Sequence, residues 1–238
     1  MRILLAGDLH ANLAAGRETV CRAVDARADV IVQLGDFGFW PGRDHGFLAG
    51  MDSLLRDSGM QMWWLDGNHE DHPALLQRGA DGFGNLVHLP RGHTWTWEGV
   101  TWAAVGGAVS VDAVLRVPGV DWFPQESAVP GMSGHADVVV AHDAPLVGTL
   151  AGLDVPIDVQ ARQTGWARAD IAASRQHMRE MGRLCRELSP AVWFHGHHHV
   201  RHTGSFGQTR IEGLAADGKP GSMLLVDAAG MTIDESPL

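Results

Sequence analysis

Short apolar runs that end in polar side chains are the feature that most constrains how this chain folds. Residues 2–6, 30–34 and 61–65 are apolar runs of strand length, and each is followed by a loop that contains Asp, Asn or His. Stretches of helical composition follow the first two loops, at 13–28 and 45–58. This alternation predicts βαβ units with parallel strands. Ligands of such sheets bind beyond the carboxyl ends of the strands, so we expect the polar loops to converge.

The second half of the chain mixes short strands with irregular segments. Four runs punctuated by turns favour an antiparallel meander, at 86–89, 94–97, 101–105 and 108–111. A helix is predicted over 168–188, and further strands at 137–141, 191–194, 201–205, 208–212 and 222–227. No repeat or linker divides the sequence, so we predict one domain over 1–238, in which the irregular residues 112–132 could form a cap or rim insert.

Composition narrows the range of partners. Of the 238 residues, 45% are hydrophobic and 19% are charged, which is typical of a folded protein. The formal net charge of −10 argues against a broad nucleic-acid surface, so a phosphate substrate would need cations at its site. No apolar stretch approaches the ~20 residues that span a bilayer, and the first apolar run is too short for a signal peptide. With Cys21 and Cys185 expected to be reduced, we predict a cytoplasmic protein without a membrane partner.

Five short motifs, each after an apolar run, collect side chains that bind metals. Carboxylate, imidazole and amide groups together suit borderline divalent ions such as Mn, Fe, Zn or Ni. In an extended chain residues i and i+2 point the same way, so the first and last motifs can each direct two side chains to one site. The motifs are Asp8-Leu9-His10, Gly35-Asp36, Gly67-Asn68-His69-Glu70, His142 and Gly196-His197-His198-His199.

In this order the motifs resemble the calcineurin-like metallophosphoesterase family, whose pattern is D-x-H, G-D, G-N-H-E/D, a lone His and G-H-x-H. The resemblance extends from Asp8 to His199. It implies an α/β fold, a four-layer α/β-β/α sandwich with two mixed β-sheets and the metal site at the carboxyl ends of the strands.

The same resemblance implies a role for each motif residue. Asp36 would bridge two divalent metal ions, for which Mn is the first expectation and Fe, Zn or Ni are alternatives. His69 would bind no metal and would be the catalytic proton donor beside the phosphate. The first ion would be held by Asp8, His10 and His199, and the second by Asn68, His142 and His197.

The implied chemistry is hydrolysis of a phosphate ester. Two divalent ions ~3.5–4 Å apart can activate water and clamp a phosphoryl group. We therefore expect a metal-dependent phosphohydrolase that acts on a phosphomonoester or phosphodiester, with a small phosphate ester or nucleotide as its partner. A nuclease or cyclic-nucleotide phosphodiesterase is the alternative, followed by a non-catalytic scaffold of the same fold. The sequence does not indicate the oligomeric state.

Several residues near the motifs have two readings. Asn12 is either a substrate contact or a helix N-cap. Arg116 either binds phosphate or forms an exposed ion pair, which is the favoured reading. Trp40 and Trp122 are core residues or walls of a substrate pocket.

The remaining polar residues of the motifs are assigned structural roles. Glu70 is expected to be a first-turn helix acid. Asp66 is expected to be a cap, with orientation of a ligand as the alternative. We predict that His195 ends a strand, that His198 points away from the metals and that His202 lies on the surface.

The residues after Asp36 depart from the pattern of the family's protein Ser/Thr phosphatases, G-D-x-x-D-R-G. Phe39 stands where that pattern has an Asp that orients the catalytic His, and Trp40 stands where it has a phosphate-binding Arg. Protein phosphatase activity is therefore not expected, and the orienting partner of His69 is left unidentified. We predict instead that the apolar residues 37–40 form a rim for an aromatic group beside the phosphate.

Overall fold

The computed structural model describes residues 1–78, 83–146, 155–228 and 232–234, and it contains two six-stranded sheets. In the first sheet the order is β12-β11-β1-β2-β3-β4. Strands β1 to β4 are parallel to one another, β11 is antiparallel to β1, and β12 is antiparallel to β11. Its strands are β1 (Arg2–Ala6), β2 (Val30–Gln33), β3 (Met62–Trp64), β4 (Leu86–His88), β11 (Met223–Asp227) and β12 (Thr232–Asp234).

The second sheet has four parallel strands with an antiparallel strand at each edge. Its order is β5-β6-β7-β8-β10-β9. Its strands are β5 (Thr94–Trp97), β6 (Val100–Val105), β7 (Val138–Ala141), β8 (Val192–His195), β9 (His202–Phe206) and β10 (Thr209–Gly213). The helices are α1 (Leu13–Asp25), α2 (Phe47–Ser58), α3 (His72–Arg78), α4 (Ile157–Thr164) and α5 (Arg168–Leu188), with 3₁₀ turns at Ala113–Leu115 and Pro124–Ser127.

Alternation along the strands produces the layers, because successive side chains of a strand point to opposite faces. Leu4 of β1 packs on the core formed with α1 and α2, whereas Ile3 and Leu5 pack between the two sheets. In the second sheet, Val138 and Val140 of β7 face the first sheet. Met178 and Met181 of α5 cover its other face. The result is the helix–sheet–sheet–helix sandwich that the motifs implied, so the predicted fold class is confirmed.

The predicted meander is wrong in two places. Residues 86–88 pair in parallel with β3 and extend the first sheet, so only β5 and β6 form an antiparallel hairpin. Residues 108–111 form no strand, because the Ser110 amide donates to the Glu126 carboxylate rather than to a neighbouring strand. The sequence analysis also did not predict α4 or β12.

The region around residues 112–132 is irregular, as expected, apart from its two 3₁₀ turns. It is anchored to the rest of the chain by Arg91, whose guanidinium donates to the carbonyls of Gln125, Glu126 and Ala128. Its description as a cap, and the single domain over 1–238, stay predictions. Among the helices of the described chain, none has the length and apolar composition needed to cross a membrane.

Candidate metal centre

The polar loops converge, as predicted, at one edge of the sandwich. They follow β1, β2, β3, β7 and β8, which are all interior strands and each run parallel to at least one neighbour. Asp8, Asp36, Asn68 and His142 are buried there, each less than 5% exposed. Burial of two carboxylates is costly unless counter-charges or ions accompany them, so this convergence calls for a cation.

The converging side chains form two ligand groups that share Asp36. One group contains Asp8, His10, Asp36 and His199, and the other contains Asp36, His142 and His197. Within each group the ligand atoms lie within 4.8 Å of one another. Apart from the amide of Asn68, the groups match the two predicted ligand sets.

Asn68 lies beside the second group. Its Oδ1 is 3.1 Å from Nε2 of His142, and that Nε2 is 3.3 Å from Oδ1 of Asp36. In the first group, Nε2 of His199 is 2.9 Å from Oδ2 of Asp8. Nε2 of His10 is 3.5 Å from Oδ2 of Asp36. The structure thus brings all seven predicted metal ligands together.

Backbone amides hold the two carboxylates in place. Oδ1 of Asp36 accepts hydrogen bonds from the amides of Asn68 and His69, at 2.9 and 2.8 Å. Oδ1 of Asp8 accepts one from the His197 amide at 3.0 Å. Oδ2 of Asp8 is buried and accepts no hydrogen bond from the described residues, which is costly for a carboxylate oxygen. A bound cation would satisfy it.

The ligand loops are bent rather than extended. His10, Asp36, His197 and His199 all have a left-handed backbone, with φ between 47° and 62°. In residues other than glycine this conformation costs free energy, and such backbone strain clusters at functional sites. The extended-chain argument for these loops is therefore wrong. Asp8 and His10 still reach one group, but His197 and His199 reach different groups.

Two glycines allow the loops to approach the carboxylates. A Cβ atom on Gly67 would lie 2.2 Å from Oδ1 of Asp36 and 2.6 Å from Nε2 of His142. One on Gly196 would lie 2.2 Å from Oδ1 of Asp8. The glycines of the G-N-H and G-H-x-H motifs are therefore needed for close packing around the ligands.

Charge within the site favours cations. Burial opposes protonation of His10 and His142, but Asp36 and Asp8 outweigh it and raise their pKa values to about 9 and about 10. Burial would raise the pKa of Asp36, but His142 and His69 hold it well below its usual range. The carboxylates thus attract positive charge, and a divalent ion would displace the imidazole protons.

The second ring nitrogen of His142 is also held by a hydrogen bond. Its Nδ1 donates to the Leu34 carbonyl at 2.7 Å, so its Nε2 is the nitrogen that faces Asp36. Such a partner for the second ring nitrogen is usual in metal-binding histidines.

His69 lies next to both groups without belonging to either. Its ring is half-buried and meets the His10 ring edge-on, with centroids 5.8 Å apart. Burial lowers the pKa of His69, Arg116 lowers it further, and Asp36 opposes both. The Trp40 indole donates to the His69 carbonyl at 2.7 Å and so helps to hold this loop.

The amide of Asn68 is oriented by a network that the sequence analysis missed. Its Nδ2 donates to Oγ of Ser110 at 3.0 Å, which leaves Oδ1 directed at His142. Ser110 Oγ in turn donates to Glu126 at 2.8 Å and accepts from Arg116 at 2.7 Å. Ser110 and Glu126 carry no motif, so no local signal identifies them.

The prediction that Arg116 forms an exposed ion pair is wrong. The Arg116 side chain is 8% exposed, and its guanidinium also donates to the Asp121 carbonyl. Asn12 caps α1, since its Oδ1 accepts from the amides of Ala14 and Ala15 while its Nδ2 donates to Asp217. This geometry favours capping over a substrate contact. Phosphate binding by Arg116 and Asn12 stays a prediction.

Two buried acids differ from their predicted roles. Glu70 is not a first-turn helix acid, because α3 begins at His72; it accepts from the amides of Gly38 and Gly67 and ties two ligand loops together. Burial, with Asp36 and Asp66 nearby, raises the pKa of Glu70 to about 8. Asp66 is not a cap, because its Oδ2 accepts from Arg91 at 2.8 and 2.5 Å. Burial would raise the pKa of Asp66, but Arg91 holds it well below its usual range.

The remaining histidines lie outside both ligand groups. His195 ends β8, as predicted, and His198 is directed to Asp143 at 3.1 Å. His202 is half-buried rather than fully exposed. Its Nε2 lies 2.9 Å from Nε2 of His195, and burial lowers its pKa to about 4.

The predicted aromatic rim after Asp36 is wrong. Phe37 and Phe39 are buried and stack on Trp64, with ring centroids 4.9 and 5.5 Å away. A Cβ atom on Gly38, between them, would clash with Ala11, so glycine is needed for this loop to lie against the loop after β1. Trp40 and Trp122 do not line the cavity that opens beside His69, as far as the described residues define it.

Comparison with known proteins agrees with this geometry. The family described as calcineurin-like phosphoesterase matches residues 1–201. No curated protein matches the chain in sequence. The protein TT1561 of Thermus thermophilus shares the fold at 14% identity and a TM-score of 0.60, over 98% of this chain and 96% of that one.

A second solved structure also shares the fold. It is a dimetal phosphatase from Danio rerio, at 14% identity and a TM-score of 0.56, over 94% of this chain and 91% of that one. At these identities the likeness concerns the fold alone. The family match covers most of the chain and includes every candidate ligand. The chain belongs to the calcineurin-like phosphoesterase family.

Proposed function

We propose that this protein is a phosphohydrolase that uses two divalent metal ions to cleave a phosphomonoester or phosphodiester. The observation that carries the proposal is the pair of ligand groups joined at Asp36. Two ions that share one carboxylate are the arrangement that clamps a phosphoryl group in two-metal hydrolases.

The residues fit two such ions. Each group offers carboxylate and imidazole ligands, a mixture that Mn, Fe, Zn and Ni accept. Oδ2 of Asp8, which accepts no hydrogen bond from the described residues and lies 2.9 Å from Nε2 of His199, faces the first group, and Oδ1 of Asn68 faces the second. When bound, the ions would supply the Lewis acidity that activates water and offsets charge on the phosphoryl oxygens.

His69 is proposed to hold the proton that the leaving oxygen needs. It is anchored by its amide to Asp36, and its ring stands beside both groups. Burial lowers the pKa of His69 in the free protein. A phosphate ester next to the ring would favour the protonated form, since an opposite charge stabilises a charged group.

The test is hydrolysis by the metal-free protein after addition of Mn²⁺, Fe²⁺, Zn²⁺ or Ni²⁺. p-Nitrophenyl phosphate and bis-p-nitrophenyl phosphate distinguish a monoesterase from a diesterase. Asp36→Asn should abolish the activity, whereas Asp57→Asn, at an exposed aspartate, should leave it unchanged. An Asp36→Asn variant as active as the wild type would contradict the proposal, as would a wild type inactive with every metal and ester.

A further inference from the structure

A cavity of about 430 Å³ opens beside His69 and is continuous with the metal centre. Asp36, Asn68 and His69 lie at one end of it, together with His197 and His199. A larger cavity of about 610 Å³ touches only Asp8 among the candidate ligands and does not reach His69. If phosphate occupies the metal centre, the rest of an ester that His69 protonates extends into the smaller cavity.

Another part of the cavity lining comes from α4, α5 and the residues between them. Trp166, between the two helices, contributes a half-buried indole. Gln160 of α4 and Arg175 of α5 contribute polar groups, and Ile171 and Met178 contribute an apolar surface. A volume of this size is at the small end of ligand pockets and suits one compact group.

The polar groups have a defined orientation. Arg175 donates to Oε1 of Gln160 at 2.7 Å and to the Val155 carbonyl at 2.6 Å. Arginine has only donors, so the oxygen end of the Gln160 amide must face it. The NH₂ end of Gln160 is therefore the end left to donate to a ligand.

The indole of Trp166 and the polar groups of Gln160 and Arg175 together favour one kind of organic group among those that a phosphate ester could carry. An indole face binds flat rings by stacking, at about 1–3 kcal/mol per nucleobase. An acyl chain would remove water from Gln160 and Arg175 without replacing their hydrogen bonds, which is unfavourable. A heteroaromatic ring with acceptor atoms satisfies both the indole and the Gln160 amide.

We propose that the cavity binds the base of a nucleotide, with Trp166 stacking on the ring and Gln160 donating to its edge. This inference rests on the proposed hydrolase function, because the phosphate is placed at the metal centre. The aromatic contact with the substrate is thus assigned to residues 160–175 of the second half of the chain, and not to residues 37–40.

The test compares kcat/KM for AMP, UMP, ribose 5-phosphate and methyl phosphate in the Mn²⁺-loaded protein. Trp166→Ala should lower kcat/KM for both nucleotides about tenfold or more, which corresponds to about 1.4 kcal/mol of lost stacking, and leave methyl phosphate unchanged. Trp166→Phe should restore most of the loss. Gln160→Ala should lower the nucleotide values, whereas Gln163→Ala, at an exposed position of the same helix, should not.

Three results would overturn the inference: ribose 5-phosphate cleaved as well as the nucleotides, equal loss for all substrates in Trp166→Ala, or no loss for any. Calorimetric titration of AMP provides a reading independent of turnover. If neither these monoesters nor bis-p-nitrophenyl phosphate is hydrolysed, the hydrolase function fails. Weaker AMP binding in Trp166→Ala than in Trp166→Phe would then still support the cavity assignment, and equal binding would refute it.

Discussion

Replacement of Ser110 by alanine tests how Asn68, a proposed metal ligand, is held. Oγ of Ser110 accepts from Asn68 and Arg116 and donates to Glu126. Within the described residues it is the single acceptor for Nδ2 of Asn68, whereas Arg116 keeps its bond to Asp121 and Glu126 keeps the Ser110 amide. Ser110→Ala therefore frees the Asn68 amide to rotate and removes the acceptor of two donors, Nδ2 of Asn68 and Nη1 of Arg116, at a cost of about 1–3 kcal/mol for each buried donor left unpaired.

The expected effect on metal binding is selective. Loss of a partner that orients a metal ligand typically lowers affinity by about 10- to 100-fold. Only the ion held by Asn68, His142 and His197 should be affected, so one of two Mn²⁺ binding steps should weaken by about 1.4–2.7 kcal/mol. Titration calorimetry of the metal-free protein resolves the two steps.

The matched control is Ser127→Ala, in the same irregular region. Its Oγ bonds only the nearby Pro124 carbonyl, at 3.4 Å, so both Mn²⁺ steps should be unchanged. Circular dichroism of the metal-free variants separates binding from misfolding. A folded Ser110→Ala protein that binds both ions with wild-type affinity would refute the orienting role of Ser110.

Three further predictions concern pH, metal removal and leaving groups. Burial lowers the pKa of His72 from 6.5 to about 4, so the folded protein loses stability as pH falls from 6.5 towards 4, by about 3 kcal/mol. Urea unfolding at both pH values should show a loss that is larger in the wild type than in His72→Gln by about this amount; equal losses would contradict it. Mn²⁺ at 100 times its Kd should raise Tm by roughly 5–10 °C per ion, and chelation should reverse the rise; calorimetric scans that show no shift would count against native-state binding. His69→Ala should reduce kcat far more for an alkyl phosphate than for p-nitrophenyl phosphate, whose leaving group needs no proton, whereas His93→Ala, at an exposed histidine, should affect neither; a uniform loss would remove the proton-donor role.

The sequence predicted where the candidate metal ligands converge, because these residues lie at strand ends. The position of a parallel strand fixes where its carboxyl end lies, so Asp8, Asp36 and His142 converge once the strands are identified. The identity of each ligand was readable from local motifs. The backbone conformation was not, since the left-handed φ of His10 and His199 depends on tertiary contacts.

Features that depend on distant pairing were not predicted. Residues 86–88 have the pattern of an edge hairpin strand but complete the parallel sheet beside β3. Phe39 follows Asp36 in sequence, yet it packs on Trp64 rather than on a ligand. Ser110 contacts Asn68 from 42 residues away, a separation at which no periodicity or spacing carries information.

The central claim is that Asp36 joins two metal ions, and electron paramagnetic resonance of the Mn²⁺-loaded protein tests it most directly. Two ions that share Asp36 should lie ~3.5–4 Å apart and give an exchange-coupled spectrum. Asp36→Asn should abolish that coupling, whereas Asp57→Asn should preserve it. A wild-type spectrum of isolated Mn²⁺ ions at saturating metal would contradict the binuclear centre.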